Sequence, residues 1–160
     1  MSIAFAGSEL LKMAVQLERK GKAFYDRVVN TVTDEKAKEI FQFLADEEVK
    51  HEQLFTEMLQ KVESLPDSPY DDTDMLSYFR ALVDRQIFPE DEYAAEIKEN
   101  ADDPAVAIRI ALSLEKDAVL YFHELAFRTE AEDQKIIEDI IAEERKHIQR
   151  ILELKKEINA

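Results

Sequence analysis

Four stretches of this chain carry side chains at alternating three- and four-residue steps, and each of these seams is interrupted near its middle by ionisable residues. The first runs through Leu11, Ala14, Glu18, Gly21, Tyr25 and Val28, the second through Phe41, Leu44, Glu48, His51, Phe55, Met58 and Val62. The third runs through Ile108, Ala111, Glu115, Ala118, Phe122 and Leu125, the fourth through Ile137, Ile140, Glu144, His147, Ile151, Leu154 and Ile158. Such spacing is the buried stripe of a helix packed against other helices. Any fold of this chain must therefore be a helical bundle that accepts six ionisable groups at one depth of its core.

The connections support the same reading. Two glycines and four prolines in 160 residues leave little turn chemistry and favour long helices over sheets. "TVTDEK" offers start signals for the second helix, Asp103 followed by Pro104 reads as an N-cap with proline at the first helical position, and Thr129 with Glu132 has the capping-box spacing. All four prolines lie between 64 and 104. The expected architecture is all-α: one domain over 1–160, with a helical hairpin at about 8–63, a connection at about 64–103 and a second hairpin at about 104–158. Two tight hairpins joined by a long middle segment describe a ferritin-like four-helix bundle with one crossover between helices two and three. The halves also resemble each other, since Glu18 is followed by Phe24 and Tyr25 as Glu115 is by Tyr121 and Phe122. This reads as an internal two-fold repeat.

A formal charge of −15 argues against nucleic acid and against anionic membrane surfaces, both of which are met by basic patches. The absence of cysteine excludes disulfides, thiolate catalysis and Cys-bound zinc or iron–sulfur clusters. No apolar run approaches the ~18 residues of a membrane span, and "MSIAFAGSEL" lacks a basic n-region, so a cytoplasmic protein is expected.

"DEEVKH" at 46–51 and "AEERKH" at 142–147 write Glu-Glu-x-Lys-His twice. A Glu three residues before a His places both on one helical face, where they can reach the same metal. Four unpaired carboxylates in a core repel one another and lose their hydration, which demands positive charge. Four ionised glutamates carry about −4, which two divalent cations balance. Oxygen with imidazole nitrogen suits iron or manganese, and zinc is compatible. One Glu from each of two helices and Glu-x-x-His from each of the others is the known di-metal carboxylate pattern. The candidate ligands are Glu18, Glu48, His51, Glu115, Glu144 and His147.

"LERKGKAFYDRVV", "FLADEEVKHEQLF", "LSLEKDAVLYFHEL" and "IIAEERKHIQRI" resemble the four helices of the ferritin-like domain of rubrerythrins over nearly the whole chain. The resemblance implies that the six residues bind two iron ions and that the metal-centred chemistry, carried by Glu18, Glu48, Glu115 and Glu144, reduces hydrogen peroxide or dioxygen. It also implies electrons from a partner and at least a homodimer. Without cysteines the chain cannot hold a rubredoxin iron, so a separate rubredoxin-like donor is expected. Ala118 stands where rubrerythrins usually carry a further carboxylate, which points to a simpler, symmetric six-ligand site. The rival readings are a bacterioferritin-like ferroxidase, a di-manganese catalase and a metal-free acidic adaptor.

Around the six, several residues have two readings. Glu47 and Glu143 either accept the second ring N–H of the His on the paired helix or are solvated. Tyr25 either hydrogen-bonds a ligand carboxylate, or serves in electron transfer, or only packs. Gly21 either leaves room over the metals for peroxide or allows close helix packing. Lys50 and Lys146 lie off the seam facing water, and His123 is an ordinary surface or boundary histidine.

Overall fold

The computed structural model describes residues 4–63, 90–129 and 131–158. Five helices stand among these residues: α1 (Ala4–Thr31), α2 (Glu35–Glu63), α3 (Glu90–Glu99), α4 (Pro104–Phe127) and α5 (Ala131–Glu157), with no strand among them. No described helix is long and apolar enough to cross a membrane. Most of the expected connection, with Pro66, Pro69 and Pro89, lies outside the described residues, as does the side chain of Val62. Within it, α3 is the described helical piece.

Start signals act where the sequence places them. Asp34 caps α2, its Oδ1 accepting from the Ala37 N–H at 2.7 Å. Asp103 caps α4 through the Ala105 N–H at 3.0 Å, with Pro104 in the first turn. At the next turn the Thr129 hydroxyl donates back to the Leu125 carbonyl at 2.5 Å, so its proton serves the end of α4. Glu132, its expected capping-box partner, has its side chain outside the described set.

Helix directions follow from contacts at the bundle ends. The α1–α2 turn meets the start of α4, with the Thr33 N–H donating to the Ala101 carbonyl at 3.1 Å. At the other end the Tyr121 hydroxyl of α4 donates to the Leu10 carbonyl of α1 at 2.7 Å, so α1 and α4 are antiparallel. Lys36 pairs with Glu157 at one end and Lys61 with Asp133 at the other, so α2 and α5 are also antiparallel. The order is up, down, down, up. Because α2 ends at the opposite end of the bundle from where α4 begins, the chain must travel the bundle's length between them. This is the physical reason for the long connection.

The expected seams form the core. Leu11, Ala14, Tyr25 and Val28 of α1, Phe41, Leu44, Phe55 and Met58 of α2, and Ile108, Ala111, Phe122 and Leu125 of α4 are buried, as are Ile137, Ile140, Ile151 and Leu154 of α5. Ala118 and Ile158 are partly buried. Across the diagonal of the bundle, the Phe55 and Phe122 rings meet with centroids 5.0 Å apart. Both are fully buried. Phe122→Ala should cost about 3–5 kcal/mol, through lost burial and the cavity left behind, measured as the shift in urea unfolding free energy.

Candidate metal centre

Each long helix delivers its seam acids to the same depth. Glu18 comes from α1, Glu48 and His51 from α2, Glu115 from α4, and Glu144 and His147 from α5. Among the described residues these six are the buried polar or charged side chains, none more than 5 % exposed. Their ligand atoms form two groups, Glu18–Glu48–His51–Glu144 and Glu48–Glu115–Glu144–His147, and within each group these atoms lie within 4.8 Å of one another. Glu48 and Glu144 belong to both. The arrangement is that of two adjacent cation positions with two shared carboxylates.

Both imidazoles turn Nδ1 inward, and their rings stack with centroids 5.5 Å apart. Nδ1 of His51 lies 2.8 Å from Glu144 Oε1 and 3.7 Å from Glu18, while Nδ1 of His147 lies 2.9 Å from Glu144 Oε2 and 3.6 Å from Glu115. These contacts are close but lack hydrogen-bond alignment. Both oxygens of Glu18 and of Glu144, and both Nδ1 atoms, have no hydrogen-bond partner among the described residues. Buried polar atoms are ordinarily satisfied, and a set of orphaned hard donors converging on one space fits a pair of cations.

In the metal-free protein, protons must supply the missing positive charge. Burial pushes Glu18 and Glu48 well above the usual carboxylate range; contact with Glu48 partly offsets the rise at Glu18, while the charges of Glu144 and Glu115 push both further. Burial and the charge on Glu144 raise Glu115 to about 8. Burial opposes protonation of His51 and His147, but contact with Glu144 and its neighbouring carboxylates outweighs it and holds both at about 10. Glu144 is buried too, yet the two imidazoles beside it keep it ionised, below its ordinary range.

The surroundings resolve the paired readings of the sequence. The Tyr25 hydroxyl donates to Glu115 Oε1, so Tyr25 does reach a candidate ligand. Its ring packs on Phe41 and Phe24, with centroids 5.8 and 5.4 Å away. Glu143 accepts from the Nε2–H of His51 on the paired helix at 2.6 Å. Glu47, its counterpart in the repeat, instead pairs with Lys50 one turn away. Gly21 serves a third purpose: a Cβ there would lie 3.3 Å from both Cδ and Oε2 of Glu48, so its missing side chain makes room for a shared carboxylate. Lys50 and Lys146 are exposed, and so is His123, whose ring nitrogen faces Arg145 at 3.1 Å. Phe43, not singled out from sequence, stands edge-on to His147 at 6.3 Å beneath the guanidinium of Arg150. Being half-buried beside a seam, it carries no sequence signal that separates it from ordinary packing.

The rubrerythrin family model matches residues 9–104, more than half of the chain. The chain belongs to the rubrerythrin family. Among solved structures, this rubrerythrin-family chain is similar to a protein from Thermotoga maritima described as a ferritin-like diiron-carboxylate protein. The two are 28% identical with a TM-score of 0.68, over 94% of this chain and 95% of that one. The fold is thus a ferritin-like bundle, and the similarity spans all four long helices. No match was found among curated proteins.

Two outcomes follow from this centre. Glu115 and both histidines take up protons on folding, because their folded values lie above the ordinary 4.5 and 6.5. The stability they contribute is complete below those ordinary values and is lost as pH rises through about 8 for Glu115 and about 10 for the histidines. The melting temperature of the metal-free protein should therefore fall as pH is raised across this window, and bound divalent metal should blunt the fall by replacing the protons. Gly21→Ala should leave the metal-free protein as stable or up to about 1 kcal/mol more so, by helix propensity. It should nevertheless weaken divalent-metal binding by displacing Glu48, as read by urea unfolding and metal titration of the same variant.

Proposed function

We propose that this chain is a non-haem di-iron oxidoreductase that reduces hydrogen peroxide with electrons from a separate donor protein. The observation that carries the reading is the pair of donor groups that share Glu48 and Glu144. In this reading Glu18 and His51 are the end ligands of one iron, Glu115 and His147 those of the other, and Glu48 and Glu144 are common to both. Membership of the rubrerythrin family and the diiron-carboxylate description of the Thermotoga maritima protein support iron over other metals.

Bound there, the iron pair supplies the two electrons that convert hydrogen peroxide and two protons to two waters. The chain's own residues set the conditions. Burial of all six ligands keeps bulk water off the site and strengthens each electrostatic contact within it. Burial and the charge of Glu115 hold the Tyr25 phenol well above the usual tyrosine range, so it keeps its proton and its hydrogen bond to Glu115. These 160 residues hold no cysteine for a rubredoxin-type iron, so in this reading the electrons come from a rubredoxin-like centre outside them.

Metal content and reactivity of protein purified anaerobically test this function. Two irons per chain, oxidised in the ferrous form by hydrogen peroxide faster than by dioxygen, are the expected result. Faster oxidation by dioxygen with release of ferric product would favour a ferroxidase, and two manganese ions with oxygen evolution a catalase. Glu48→Ala and Glu144→Ala should each abolish loading of both metals, because each removes a shared ligand. If either variant instead stabilises a chain that binds no metal, the carboxylates belong to a metal-free bundle.

A further inference from the structure

The two halves of the centre offer the same ligand types but do not hold them alike. On the Glu18–His51 side, the outer nitrogen of His51 is fixed by Glu143 at 2.6 Å, while both oxygens of Glu18 are free of hydrogen bonds among the described residues. On the Glu115–His147 side, Tyr25 occupies Oε1 of Glu115, and Nε2 of His147 has no hydrogen-bond partner among the described residues. Glu47 is the residue that the repeat would assign to His147. One of its oxygens lies within 4.8 Å of ligand atoms of both His51 and His147, yet its hydrogen bond goes to Lys50.

These differences act in one direction. A carboxylate that accepts the outer N–H of an imidazole fixes the tautomer, points the inner lone pair at the metal and makes that nitrogen more basic. A phenol that donates to a carboxylate draws charge from it and occupies one of its oxygens. The Glu18–His51 side therefore has the stronger imidazole donor and the less encumbered carboxylate. The Glu115–His147 side has the weaker of each.

Resting on the di-metal reading above, we infer that the two metal positions are unequal. The Glu18–His51 position fills first because Glu143 orients and polarises His51, and the Glu115–His147 position fills last and exchanges. Glu143 acts as a positioning residue, through His51 and not on the metal. Its side chain is 46% exposed, so water competes for its charge, and its effect lies at the low end of the roughly 10–100-fold range for such partners.

Titration of the metal-free, full-length protein with manganese(II), followed by calorimetry and electron paramagnetic resonance, tests this. The expected result is two steps separated by about tenfold or more in affinity, with an uncoupled single-ion signal greatest near one metal per chain and lost as the second enters. Glu143→Gln should weaken the first step by about tenfold and draw the two together. It is isosteric and half-exposed, and its folding can be checked by circular dichroism. Glu47→Gln should leave both steps unchanged. Two metals entering in one step of equal affinity would overturn the inference while leaving the di-metal reading intact. So would a Glu47→Gln variant that weakens the second step as much as Glu143→Gln weakens the first, since Glu47 would then serve His147 once metal is bound. Failure to bind metal at all would overturn both.

Discussion

Four carboxylates and two imidazoles share one buried space at the middle of this bundle, and their mutual electrostatics constrain everything around them. Each carboxylate loses its hydration on burial and meets three others of like charge. The metal-free protein answers with protons, which is why Glu18, Glu48 and Glu115 are pushed up while Glu144, between two imidazoles, stays ionised. A pair of cations does the same with better geometry, because each inward-facing oxygen and nitrogen then has a directed partner. The apolar layers above and below, anchored by contacts such as Phe55 on Phe122, hold the helices so that this choice is made at fixed distances.

The path of the chain is what brings the six together. A hairpin delivers one Glu from its first helix and Glu-x-x-His from its second, and the second hairpin repeats this in the opposite direction. With α1 against α4 and α2 against α5, both antiparallel, the ligand levels coincide. The inner ligands consequently obey the repeat. Their outer partners do not, because α1 carries Tyr25 where α4 carries Phe122, and because Glu47 and Glu143 have found different partners.

Much of this was legible from residue order. Nearly every described position on the three- and four-residue seams is buried, since helical periodicity decides which side chains share a face, whereas flanking positions such as Leu10, Met13, Ile110 and Leu114 are buried outside the seams. Asp103 was readable as a cap and "TVTDEK" as a helix start, which the structure narrows to Asp34, because capping is local. Thr129 read less truly: its spacing to Glu132 suggested a start for α5, whereas its proton goes back to Leu125. A hydroxyl between two helices can serve either, and sequence spacing does not say which.

The residues with two readings mark the boundary more sharply. For Gly21 the sequence suggested space for a substrate or close packing, and the structure shows space for Glu48, a residue distant in sequence. For Tyr25 it left hydrogen bonding and packing open, and only the position of Glu115 across the bundle decides it. By itself the sequence determined the helices, their buried faces and the six ionisable residues at one depth, all consequences of short-range periodicity and charge. The tertiary structure alone decided which carboxylates belong to both donor groups, which imidazole has an anionic partner and what the glycine accommodates. Those depend on distances between helices, and no spacing along a single helix contains them.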